Sequence, residues 1–138
     1  MKRQDKYPDT NTFHFYNANP KNRIGADCVI RAICTALEQS WEVTVRELTE
    51  VGLKHGLVLN DKACFEKDLK QKGWIKHQQP RKSDGTKYTG SEFCEKARYH
   101  TNYIANIGGH HTVAIVNCQV YDIWDSTGGC IGNYWTKE

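Results

Sequence analysis

At 138 residues, with 38 % hydrophobic and 25 % charged content, the chain is long enough for one packed domain and has neither a disordered nor a fibrous composition. Its apolar runs are only a few residues long, as in "VAIV", and "MKRQDKYPDTNTF" has no apolar stretch of the secretory kind, so a soluble cytoplasmic protein is expected. The net charge of +3 equals the balance of residues 1–24, where Lys2, Arg3, Lys6, Lys21 and Arg23 face Asp5 and Asp9. That arm carries no motif and no stripe along one element, so it reads as a solvated terminus, and nucleic acid is not an expected partner.

A polar arm over 1–12 is expected to precede a single domain over 13–138. "FHFY" at 13–16 reads as a short strand and "NANPKNRIGAD" as loop. The run "DCVIRAICTALEQ" then has Ile30, Ile33, Cys34 and Leu37 at helical spacing, with Asp27 suited to the N-cap. A second helix is expected from about Thr44 to His55, stopped by Gly56, and a third over "KACFEKDLKQKG". "WIKHQQ" reads as a strand, "PRKSDGTKYTG" as an exposed loop and "SEFCEKARY" as a short helix. From Thr101 the pattern alternates through "NYIANI", "HTVAIVN", "QVYDIWD" and "NYWTK", with turns that predict antiparallel hairpins. Helices first and a meandering sheet second define an α+β domain.

The six cysteines contain no C-x-x-C pair, so neither a zinc knuckle nor a thioredoxin-type site is predicted. Most read as small buried apolar residues. Cys28 differs, because it stands at the start of a helix, where free backbone N–H groups favour a thiolate and can hold an oxyanion. Such a nucleophile needs a base, and "HHTVAIVN" offers one. Along a strand His111 shares a face with Val113 and Ile115, whereas His110 shares the other with Thr112. His111 is therefore the candidate base and His110 a neighbour at the rim. Asp125, at the end of the following strand, is the first candidate to orient His111; Asp122 ranks second. Adjacent histidines point to opposite faces and no further ligand spacing completes a set, so no metal and no cofactor is expected. His14, His55, His77 and His100 lie in polar contexts and read as surface residues.

"NRIGADC" before an apolar helix, "HHTVAIV" opening a strand and "WDS" closing the next resemble the papain-like cysteine peptidases, and most of all their bacteriocin-processing type. The two blocks are similar to those of small papain-like proteins of bacteriophages and Gram-positive bacteria, from about Asn19 to Trp135. The resemblance implies a compact papain-like core with N-terminal helices on a C-terminal antiparallel sheet. It implies a triad of Cys28, His111 and Asp125, with Asn22 as the oxyanion donor six positions before the nucleophile, where Gln is usual. It implies no known substrate; a protein or peptide, a host protein among the candidates, is the expected partner, in the host-cell cytoplasm if the chain is phage-encoded.

The expected activity is that of a thiol hydrolase acting on an amide, isopeptide or thioester bond. A deamidase or acyltransferase would use the same three residues. A host-inhibiting binding protein on the same scaffold is the alternative from another class. Nucleic-acid binding through the arm and the "PRKSDGTK" loop is the weakest reading. The substrate groove is expected beside Cys28, lined by residues 74–90 and the loop after Asp125.

Overall fold

Val29, Ile30, Ile33 and Ala36 lie on one stripe of the first long helix, and the fold buries that stripe. The computed structural model describes residues 1–137. Its elements are α1 (Arg3–Lys6), β1 (Phe13–Phe15), α2 (Cys28–Leu37), α3 (Trp41–His55), α4 (Lys62–Gln71), β2 (Trp74–His77), α5 (Gly90–Lys96), β3 (Tyr103–Ile107), β4 (His111–Val116), β5 (Gln119–Asp122) and β6 (Ile131–Lys137). The strands form one sheet in the order β1-β5-β4-β3-β6-β2. The fold is α+β, with N-terminal helices packed against a mixed, mostly antiparallel six-stranded sheet.

Period-two alternation divides the apolar residues of the strands between two faces. Ile104, Ala114 and Trp135 pack with Ile33, Leu48, Phe65 and Leu69 beneath α2, α3 and α4. Tyr103, Val113, Ile115 and Ile131 pack on the other face with Phe93 and Cys94 of α5. Fully burying one such aliphatic side chain stabilises the fold by about 1.5–3 kcal/mol. Among the described residues no helix is long and apolar enough to cross a membrane.

The sheet is not purely C-terminal and not purely antiparallel. β1 runs parallel to β5 and β2 pairs with β6, so two strands from the first part of the chain take the two edges. The arm does not stand apart either. Val120 N donates to Thr12 O, and Arg3 Nε donates to Ile123 O at 2.5 Å. α3 starts at Trp41 rather than Thr44, because Ser40 caps it by accepting from Val43 N. A capping box between Thr89 and Glu92 opens α5.

Two details position the site. The β4–β5 hairpin turns on Asn117 and Cys118, with φ of 51° and 61°, the left-handed pair of a two-residue type I′ turn. Val116 therefore faces Gln119 and Ala114 faces Tyr121. β5 then stops at Asp122, short of the expected Asp125. The strand leaves β4 for β1, where Tyr16 N donates to Asp122 O, and the Asp122 carboxylate accepts from Ile123 N at 2.7 Å.

Candidate active site

Cys28 is the first residue of α2, preceded by Asp27. The Asp27 side chain does not cap the helix; it accepts from Arg31 Nε at 2.9 Å, from Trp41 Nε1 at 3.0 Å and from Asn19 Nδ2 at 3.1 Å. The helix end at Cys28 is thus left without a side-chain cap, and its first backbone N–H groups are not taken by the Asp27 side chain.

β4 packs along α2, which brings His111 to the sulfur. Cys28 is hydrogen-bonded by His111 and by the backbone N–H of Thr112. His111 Nε2 lies 2.5 Å from Asp122 Oδ2, so Nδ1 is the nitrogen left for the sulfur. Asp122 is fully buried and saturated: Ser126 Oγ donates to Oδ2 at 2.9 Å, and Arg31 Nη1 to Oδ1 at 3.1 Å. Trp124, 38 % exposed, lies against the imidazole with ring centroids 5.1 Å apart.

Burial alone would push the Cys28 thiol up, but the bonds from His111 and Thr112 outweigh it and hold the thiol below its ordinary value. Burial likewise opposes the imidazolium, yet the bonds to Asp122 and Cys28 raise His111 to about 9. Burial also disfavours the Asp122 carboxylate, and His111 more than compensates, so its carboxyl titrates below the usual range. All three shifts favour a thiolate–imidazolium pair backed by a carboxylate. Among the described residues no cluster of three or more His, Cys, Asp or Glu side chains could hold a metal ion.

The structure brings Cys28 and His111 together and leaves His110 exposed in the preceding turn. It does not bring Asp125 to them. The Asp125 carboxylate accepts from Thr127 N at 3.1 Å and Thr127 Oγ1 at 2.5 Å. Its loop is drawn to the start of α5, where Gly90 N donates to Gly129 O and Ser91 N to Thr127 O. Gly90 suits that contact, since a Cβ there would press on the Thr127 backbone at 3.1 and 3.2 Å and displace the end of the Ile107 side chain. The carboxylate that meets His111 is Asp122. Continuing the hairpin register places residue 124 opposite His111 and Asp122 on the diagonal of the same face, whereas Asp125 falls on the other. The two-residue turn "NC" held this signal in the sequence.

Asn22 lies exposed on the loop before α2 with φ of 54°, and its Oδ1 accepts from Asn17 Nδ2 at 3.3 Å. Its amide Nδ2 makes no hydrogen bond to any described residue. Asn19 organises that loop, donating to Asp27 while its Oδ1 accepts from Lys21 N and Arg23 N. The segment 74–77, expected beside Cys28, forms the far edge of the sheet, three strands beyond β4.

Arg31 went unrecognised in the sequence. It is only 6 % exposed and bridges Asp27 and Asp122 from one turn beyond Cys28. A cation inside the apolar run "CVIRAIC" needs buried carboxylate partners, and that was the available signal. Compared with family models, curated proteins and solved structures, the chain matches none of them.

Proposed function

We propose that the protein is a papain-like thiol hydrolase with Cys28 as nucleophile, His111 as acid and base, and Asp122 in place of Asp125 as the carboxylate that orients His111. One observation carries the reading: the sulfur at an uncapped helix start shares a hydrogen bond with an imidazole whose far nitrogen is held by a buried carboxylate. The substrate is a protein or peptide carrying an amide, isopeptide or thioester bond.

The Cys28 thiolate attacks the carbonyl carbon, and the resulting oxyanion receives a hydrogen bond from the Cys28 N–H at the start of α2. The His111 imidazolium gives its Nδ1 proton to the leaving amine or thiolate as the carbon–nitrogen or carbon–sulfur bond breaks, leaving a thioester on Cys28. Water then attacks that thioester, His111 takes a proton from it, and the carboxylic acid departs with the thiolate restored. Asp122 and Arg31 hold the imidazole in register throughout and exchange no proton.

The test is alkylation of the folded protein by iodoacetamide, with each cysteine followed by mass spectrometry. At pH 7 Cys28 should react faster than the exposed Cys130, although it is the more shielded of the two. In His111→Ala that order should reverse. If Cys28 never outpaces Cys130 in the unmodified protein, the reading fails.

A further inference from the structure

On the face of the sheet away from α2, the short α5 leaves part of the surface open toward β6 and β2. There two hollows of about 260 and 320 Å³ share Arg98, Tyr103 and Tyr134 and so form one continuous trough. Four cations border it, Arg81 and Lys96 at one end, Arg98 in the middle and Lys137 at the other, and no Asp or Glu lines either hollow. Glu92, at the start of α5, is occupied by an ion pair with Lys82, and Glu95, next to Lys96 in sequence, is exposed but lines neither hollow. Arg81, Lys96, Arg98 and Lys137 are all exposed.

The lining is aromatic as well as cationic. His77 stacks flat on Tyr134, with centroids 4.6 Å apart and planes within 12°, and Tyr88 flanks the Arg81 end. Each of these three rings is only partly buried. The hollows stand at the small end of the roughly 300–1,000 Å³ typical of enclosed ligand sites, which favours a string of small units laid along the trough over one engulfed molecule. Rings that accept stacking, beside cations spaced along a groove, match a ligand that alternates flat bases with phosphates.

We propose that this trough binds single-stranded nucleic acid, independently of the Cys28 site on the opposite face. The basic residues form no stripe along any single element of the sequence; the fold gathers them from the 80–88 loop, α5, the segment after it and β6.

The test is fluorescence anisotropy of the full chain with a labelled single-stranded DNA and a labelled RNA of about 12 nucleotides, a length within the range of known single-strand sites. Affinity should fall with salt at a logarithmic slope of about 3, as expected for four phosphates on a single strand. The double variant Arg81→Glu/Arg98→Glu should weaken binding at least about tenfold. Lys2→Glu/Lys6→Glu in the arm, and Cys28→Ala, should each leave it within about twofold. Unchanged Cys28 alkylation in the trough variant verifies its fold. A 5-iodouridine-substituted strand should crosslink to Tyr88, His77 or Tyr134. No binding at low salt, loss through the arm variant instead, tighter binding of a duplex, or equal competition by polyglutamate or polyphosphate would each overturn the proposal.

Discussion

Cys28 and Cys94 occupy opposite faces of one sheet and have much in common. Each sits on a helix, is substantially buried, and accepts a hydrogen bond from a strand N–H, Thr112 for Cys28 and Val120 for Cys94. Yet burial, with Cys118 adding to it, pushes the Cys94 thiol up to about 12, while Cys28 is held below the ordinary thiol value. The backbone donor is not the difference. His111 is, together with the carboxylate and guanidinium behind it; Cys94 has Cys118 where Cys28 has an imidazole. Reactivity in this molecule follows from what faces the sulfur, and depth of burial sets only the starting penalty.

The harshest way to break the contrast is to remove Arg31. Arg31→Met strands Asp27 and Asp122 without their shared cation, and chemical denaturation should show a loss of about 3–5 kcal/mol. Arg31→Lys keeps the charge but not the fork that reaches both carboxylates, so a smaller loss is expected. Next, His111→Ala should turn Cys28 into a second Cys94. Its alkylation at pH 7 should slow at least about tenfold, because burial then acts unopposed.

Asp122→Asn separates the two acids. It should slow Cys28 alkylation severalfold, whereas Asp125→Asn should leave the rate essentially unchanged; the opposite ranking would restore Asp125 to the site. The same pair has a pH signature. The folded Asp122 titrates below 3.8, so its stabilisation is present above that value and fades as pH falls through the folded value. His111 rises from 6.5 to about 9, so its share is complete below 6.5 and lost as pH climbs through 9. Denaturation of Asp122→Asn against the parent should thus differ most between 3.8 and 6.5, differ less once pH climbs through 9, where the bonds from Arg31 and Ser126 remain, and converge only in acid. The mildest change is Cys118→Gly. It relieves a left-handed residue, φ 61°, at the loss of a 3.3 Å contact from Sγ to Ala97 O, and should raise stability by at most about 1 kcal/mol.

Local chemistry made much of this legible in advance. Helical spacing marks α2 and its start marks Cys28; alternation favours His111 over His110. Yet Val113 and Ile115, which share its face, pack against α5, while Ala114 and Val116 face α2, so His111 meets Cys28 only because it stands at the very start of β4. What the sequence reading misplaced depends on where a strand ends. β5 was carried through to Asp125, but Asp122 ties its own carboxylate to Ile123 N and ends the strand three residues early. The edge positions of β1 and β2 arise from pairings more than fifty residues apart, which no local period encodes. Arg31 interrupts an apolar run, and its partners come from before the helix and from β5, beyond the reach of helical spacing. Asn22 was placed by its spacing from Cys28, and the loop turns it outward on a left-handed backbone.

The parallel pairing of β1 with β5 has a consequence in time. Asp122 belongs to a strand held between residues 13–15 and β4, so its carboxylate has a fixed address only after that strand has joined both. During synthesis Cys28 therefore leaves the ribosome long before its imidazole and carboxylate exist, and it travels as an ordinary thiol. The charged pair can form only once β5 has been made and paired, and a product truncated anywhere before β5 carries Cys28 without the carboxylate behind its imidazole.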